Sequence, residues 1–252
     1  MNSKREPLKI AFSTQKGGAG KTSLTVLTAS YLHYVKNHNV VIIDCDYPQH
    51  SITDMRQRDL KLIQDDDFYN RMAYKQFTAS DKKAYAVMES TPEYALEDAQ
   101  NAAEQLQPDF IFFDLPGTIN NHEVIEILSR MDYIIVPVSA DRLVVESSLQ
   151  FGLAIQEELI NVGKSTIKGI HFLWNMVDGR EKTELYDVYE QVIKHFGFSF
   201  LKTYIPDTKR FRKEQSTQHK ALFRSTLFPV DNILLKGSNI DSLVDELLEI
   251  LQ

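Results

Sequence analysis

A single cysteine, Cys45, occurs in 252 residues. One thiol excludes an intrachain disulfide, a four-cysteine zinc site and a self-contained iron–sulfur cage. The scarcity fits a reducing compartment, the cytoplasm. Long apolar runs are also missing. Leu8–Ser13 falls short of the roughly 7–15 apolar residues of a secretory core, and nothing approaches the roughly 18 of a membrane span. The chain is therefore expected to be neither exported nor membrane-spanning. No internal repeat or low-complexity linker divides it, and its length suits one large layered domain over residues 1–252. Positive charge is scarce too, with 28 Lys and Arg against 35 Asp and Glu, a net −7. From Ala84 to Ser129 there is no Lys or Arg at all. Lys202 to Arg224, by contrast, holds seven basic residues against two acidic ones, a local +5 that leaves −12 elsewhere. Such a chain does not coat nucleic acid on every side, but one basic face is available to it.

What is present is a β/α alternation. Short apolar runs at Leu8–Ser13, Val40–Asp44, Tyr85–Met88, Phe110–Asp114, Tyr133–Val138 and Ile167–Trp174 read as buried strands. Between them Leu24, Leu27, Tyr31, Leu32 and Val35 keep a helical period, as do Val124, Ile127 and Leu128, then Leu149, Leu153 and Ile160. Ile240–Leu251 closes the chain as an amphipathic helix. The pattern predicts a doubly wound α/β fold, a mostly parallel sheet with helices on both faces.

The segment Ser13-Thr14-Gln15-Lys16-Gly17-Gly18-Ala19-Gly20-Lys21-Thr22-Ser23 ends the first strand and opens the first helix. Glycines there let successive N–H groups turn inward, the helix N-terminus adds positive dipole, Lys21 can reach terminal phosphates, and the Thr22 hydroxyl can ligate Mg²⁺. Gly17 to Ser23 is thus a candidate phosphate cradle. Gln15 stands where the strict G-x-x-x-x-G-K-[ST] pattern has its first glycine, and an extra lysine, Lys16, opens the loop. The second strand ends Asp44-Cys45-Asp46-Tyr47-Pro48-Gln49, and a third apolar run ends Phe113-Asp114-Leu115-Pro116-Gly117. Carboxylates at such strand ends lie beside a phosphate loop, where they hold Mg²⁺ or orient the attacking water.

Lys16-Gly-Gly-Ala-Gly-Lys-Thr22 resembles the deviant Walker A loop of the ParA/MinD group of P-loop ATPases, and the likeness runs along nearly the whole chain. It implies a Mg²⁺-dependent ATPase with ATP as its nucleotide. Lys16 would cross a homodimer interface to the nucleotide of the other subunit. The family's D-x-D-P-Q segment is matched with Tyr47 inserted, so Asp46 is expected to position the water and Asp44 to support the metal with Thr22 and Asp114. Leu115-Pro116-Gly117 would be the nucleotide-sensing switch. Phe172–Val177 and Tyr204–Asp207 look like the segments that flank the adenine, which makes Asn175 the candidate base reader, with Pro206 and Asp207 beside it. Plainer roles stand next to these: Asp44 as a strand-end turn former, Asn175 as a turn residue, and Cys45 as an inert packed thiol.

Within that group, relatives with cysteine ligands are excluded by the lone Cys45. Membrane cycling is disfavoured, since the last helix carries Asp241, Asp245, Glu246 and Glu249 and no base. The remaining resemblance is to ParA-like partition ATPases, which implies nonspecific DNA binding by the ATP-bound dimer and a ParB-like stimulating protein. Lys202, Lys209, Arg210, Arg212, Lys213, Lys220 and Arg224 are the candidate phosphate contacts, and binding through them falls steeply with salt. A solvated basic face is the other reading of that cluster. The alternative function is a nucleotide-switched positioning factor for a protein assembly that never touches DNA.

Overall fold

The computed structural model describes residues 6–80, 82–117, 121–179, 184–212, 215–216 and 221–251. Seven strands form one sheet in which every neighbouring pair is parallel. They are β1 Leu8–Phe12, β2 Val40–Asp44, β3 Ala86–Glu89, β4 Phe110–Asp114, β5 Tyr133–Val138, β6 Gly169–Trp174 and β7 Ser199–Phe200, and their spatial order is β3-β2-β4-β1-β5-β6-β7. The doubly wound sheet expected from the apolar runs is therefore what the chain forms. The six expected strands are present, three with the expected bounds and three with ends shifted by a residue or two. β7 was not anticipated, because two residues at a sheet edge carry no periodic signal.

Alternation along the strands divides the core between the two faces. On β1, Ile10 and Phe12 pack toward one cluster and Ala11 toward the other; on β4, Phe110 and Phe112 oppose Ile111 and Phe113. The first face is covered by α1 (Lys21–Tyr34), α2 (Ser51–Asp65) and the closing helix. The second is covered by α4 (Ala95–Leu106), α5 (His122–Ser129), α6 (Arg142–Ile155) and α7 (Glu184–His195). A third helix, α3 (Asp67–Ala79), lies beside α2, and Tyr69 and Ala73 on it build a smaller cluster with Leu222, Leu227 and Phe228.

The sequence marks α1 as amphipathic, but its residues from Leu24 to His33 are all buried. The polar side is closed over by the late part of the chain. After a 3-10 turn at Lys209–Arg212 come a two-residue hairpin, β8 Gln215–Ser216 with β9 Ala221–Leu222, then α8 (Asn232–Leu235) and α9 (Ile240–Ile250). Ser30 Oγ donates to the Ser225 carbonyl at 2.7 Å and Tyr34 OH to the Thr226 carbonyl at 2.9 Å, so these two hydroxyls of α1 are satisfied by the strap.

From the C-terminal ends of the neighbouring strands β1 and β4 the chain leaves in opposite directions, β1 toward β2 and β4 toward β5. The crevice outside those ends is where doubly wound sheets bind ligands, and residues 13–23 occupy it.

Candidate functional site

The loop after β1 turns through two left-handed glycines, Gly18 (φ 75°) and Gly20 (φ 84°), before α1 begins at Lys21. Gly20 is required twice over. Its φ suits glycine alone, and a Cβ there would stand 2.8 Å from Asn175 Nδ2. Residues 17–23 line a cleft of about 470 Å³, closed on its other side by Asp46, Gln49, Ser51, Gly117 and Met176. Lys16 is exposed at the loop's start.

Lys21 points into this cleft between carboxylates. Burial lowers its pKa, and the charges of Asp114 and Asp46 oppose that. A Cβ on residue 117 would come within 3.4 Å of Lys21 Nζ, so the glycine after Pro116 leaves room for the amine. Thr22 Oγ1 donates to Asp114 Oδ2 at 2.8 Å, which joins the head of α1 to the end of β4. Asp114 is fully buried and its carboxyl is pushed up to about 7. Burial is the main cause, the nearby Asp44 and Asp46 charges add to it, and the Thr22 hydrogen bond and Lys21 oppose it. Its Oδ1 is buried without a hydrogen-bond partner.

This donor set fits a magnesium ion. Mg²⁺ in nucleotide sites keeps several waters and takes one or two protein oxygens beside the substrate phosphates. A hydroxyl and a buried carboxylate with one oxygen to spare meet that need. Among the described residues no group of three or more His, Cys, Asp or Glu side chains is arranged to hold a metal, so a dedicated protein cage is a poorer match than an ion brought by the nucleotide.

Asp46 lines the cleft, and burial raises its pKa against the pull of Lys21. Asp44 takes a different place. Its Oδ2 accepts from Ile52 N at 3.1 Å, Thr53 N at 2.8 Å and Thr53 Oγ1 at 2.9 Å, so it holds the first turn of α2, and the residue is fully buried. Asp44 thus braces the start of α2, and its Oδ1 is buried without a hydrogen-bond partner, as is that of Asp114. Cys45 is likewise a packed thiol, pushed up well above its usual pKa by burial. Tyr47, the inserted residue, is 62% exposed.

Asn175 comes to the loop, but as a brace. Its Nδ2 donates to the Ala19 carbonyl at 2.8 Å and its Oδ1 accepts the Met176 N–H at 2.9 Å. The amide expected to read a base is engaged with backbone on both ends. Val177 pairs with Pro206 in a short parallel bridge, and Asp207 N donates to the Val177 carbonyl at 2.9 Å, so the two segments expected to flank the adenine do meet. Neither Pro206 nor Asp207 lines the cleft.

The basic cluster divides. Lys202 and Lys209 are exposed. Arg210 Nη1 donates to the carbonyls of Leu234 (3.0 Å) and Lys236 (2.5 Å), tying down the end of α8. Arg224 Nη1 donates to Ser23 Oγ at the head of α1. Two of the candidate DNA contacts are thus turned to internal partners, since a guanidinium near unpaired carbonyls or a hydroxyl is better used there than in water. Lys213 and Lys220 lie outside the described residues, as does the side chain of Arg212. The contributions of Arg224 and Gly117 were missed in the sequence because their partners are about 200 and 100 positions away. No helix among the described residues is long and apolar enough to cross a membrane.

Residues 10–221 match the family model described as the CobQ/CobB/MinD/ParA nucleotide binding domain. The uncharacterised protein BBD21 of Borreliella burgdorferi is 27% identical over 207 residues, covering 75% of this chain and 82% of its own. Among solved structures, a Borrelia burgdorferi B31 protein assigned to plasmid partition, bound to AMPPNP, superimposes with a TM-score of 0.61 at 16% identity, over 97% of this chain and 99% of that one. The septum site-determining protein MinD from Pyrococcus horikoshii, complexed with Mg-ADP, gives 0.59 at 16% identity, over 97% and 96%. At such identity the structural likenesses speak to the fold.

Proposed function

This chain belongs to the CobQ/CobB/MinD/ParA nucleotide-binding family, and from that premise we propose that it is a Mg²⁺-dependent ATPase working as an ATP-switched homodimer in DNA partitioning of a mobile element. The whole chain, 1–252, would act as one cytoplasmic ATPase unit, with a ParB-like protein stimulating hydrolysis. The observation that carries the ATPase reading is the cleft in which Lys21, the Thr22–Asp114 pair and Asp46 converge on one phosphate cradle. The AMPPNP and Mg-ADP of the structural relatives support the choice of ligand.

In this reading Gly17 to Ser23 bind the phosphates through backbone N–H groups and the α1 dipole. Lys21 offsets phosphate charge. Thr22 and Asp114 would hold a magnesium ion, which would supply electrostatic stabilisation to the transferring phosphoryl group. Asp46, beside Lys21 and open to the cleft, orients the attacking water. Exposed Lys16 is free to reach the nucleotide of a second subunit. Lys16→Ala is then expected to keep ADP binding while losing dimer-dependent turnover, and Asp46→Ala to bind ATP without hydrolysing it. Normal hydrolysis by Asp46→Ala would remove it from the role of water-positioning carboxylate.

A second reading is favoured by the inward-turned Arg210 and Arg224, which weaken the basic face. It is a nucleotide-switched positioning factor for a protein assembly, without DNA binding. Co-sedimentation with DNA at low salt in ATP, ADP and no nucleotide separates the two. ATP-dependent pelleting that declines with salt is the outcome expected of the partition reading; no ATP-dependent pelleting selects the positioning factor.

A further inference from the structure

Arg224 lies beyond the family-matched region, which ends at residue 221, yet it reaches back to the phosphate loop. Its Nη1 donates to Ser23 Oγ. A guanidinium has no acceptor and stays charged, so the Ser23 hydroxyl must be the acceptor in this pair. A hydroxyl that accepts on one side keeps its own proton to give on another, and Ser23 lines the cleft.

The backbone that carries Arg224 is fixed from three helices. Ser225 O accepts from Ser30 of α1, Thr226 O from Tyr34 of α1 and Arg56 of α2, and Leu227 O from Gln76 of α3 at 2.8 Å. Asp59 of α2 accepts on Oδ2 from Thr226 N at 2.6 Å, Thr226 Oγ1 at 2.7 Å and Ser225 Oγ at 3.0 Å. Ser225 and Thr226 are 2% and 0% exposed. A satisfied buried network of this kind specifies one geometry. A side chain that must hold another group in place needs such support, whereas a solvated contact to a DNA backbone does not.

We propose that Arg224 is a positioning residue of the nucleotide site. Through Ser23 Oγ it turns a hydroxyl proton, with a cation directly behind it, toward the phosphates of a nucleoside di- or triphosphate. The strap at residues 221–227 thereby belongs to the nucleotide-binding apparatus and not to a DNA-binding face. The inference rests on the nucleotide reading above.

The test is a double-mutant cycle on the full chain, read by calorimetric titration with Mg·ADP. Ser23→Ala and Arg224→Gln are each expected to weaken binding about five- to tenfold, the net effect of one hydrogen bond. The double variant should be no weaker than the worse single one, because both remove the same interaction. Arg224→Lys should recover part of the loss. Additive losses would overturn the proposal, since they mean that Arg224 acts on binding by another route. Arg224→Gln binding as tightly as the wild type overturns it as well. Should Arg224→Gln not fold, the same cycle run with Arg224→Lys and Ser23→Ala decides by the same criterion. A wild type that fails to bind Mg·ADP overturns the nucleotide reading and this proposal together. Wild-type binding with unchanged variants overturns the proposal alone.

Discussion

The phosphate-loop end of the sheet and the late basic segment both stand out in the sequence, and the structure treats them differently. The loop's residues act as a contiguous unit. Gly17 to Ser23 line one cleft in chain order, and of the side chains that join them Asp114 ends β4 and Asp46 lies two residues past the end of β2. The described basic residues of 202–224 share a charge but do not all face the same way. Lys202 and Lys209 face solvent, Arg210 faces the end of α8, and Arg224 faces Ser23. A motif encodes backbone geometry, which adjacent residues must share, whereas a count of charges along a segment says nothing about direction. Linear density of positive charge is therefore a weak indicator of a binding face when arginines have carbonyls or hydroxyls within reach.

The largest expected effect falls on the loop. Lys21→Ala should weaken Mg·ATP binding at least about a hundredfold, because it removes a cation held between two carboxylates and leaves Asp114 and Asp46 facing each other without it. Equilibrium titration with a fluorescent ATP analogue checks this. Retained binding would mean that the loop's backbone alone suffices.

Next comes the strap's anchor. Asp59→Ala strips three donors of their acceptor at once and leaves Arg56 without its nearby carboxylate. A loss of about 3 kcal/mol in urea unfolding is expected. A loss within about 0.5 kcal/mol would show that residues 225–226 are held by packing and that the strap's polar network is incidental.

A paired substitution then divides the basic segment itself. Arg210→Gln should cost about 1 kcal/mol of stability, from lost bonds to Leu234 and Lys236, and leave DNA co-sedimentation unchanged. Lys209→Gln should do the reverse, holding the unfolding midpoint and lowering the salt slope of DNA binding by about one. If both variants affect DNA binding alike, the segment is one surface after all and the contrast drawn above fails.

The parts legible in the sequence were those fixed by local spacing. The six main strands, the glycine turn and the carboxylates at strand ends all follow from periodicity and from the backbone that a phosphate cradle requires. Less legible were the contacts of residues whose partners lie outside the motif that marks them. Asp44 was legible as a strand-end carboxylate, but α2 begins only seven residues later and takes its Oδ2 for three hydrogen bonds. Asn175 was recognisable by its place after β6, yet its amide closes on Ala19, 156 positions away. The burial of α1 from Leu24 to His33 was hidden by residues far along the chain. Thr25, Thr28 and Ser30 look like a solvent face until residues 221–227 and α9 cover them.

The smallest effect concerns α1, which belongs to both regions, its head holding the phosphate loop and its tail lying under the strap. His33, near that tail, is 5% exposed and donates from Nε2 to the Lys83 carbonyl at 2.9 Å, and its Nδ1 is buried without a hydrogen-bond partner. Protonation would place a positive charge in a buried site. The pKa is accordingly pushed down to about 4, chiefly by burial, with the Lys82 and Arg56 charges adding and the Lys83 and His38 carbonyls opposing. In the unfolded chain the ordinary value is about 6.5, so the unfolded state takes up the proton first. The contribution of His33 to stability is complete above pH 6.5 and is lost as pH falls from there toward 4. Urea unfolding at pH 7.5, 6 and 5 should show a decline that is shallower in His33→Gln, whose amide can keep the donation to Lys83 without titrating. Parallel declines in the two proteins would assign the acid sensitivity to other groups and leave the strap-covered end of α1 indifferent to pH.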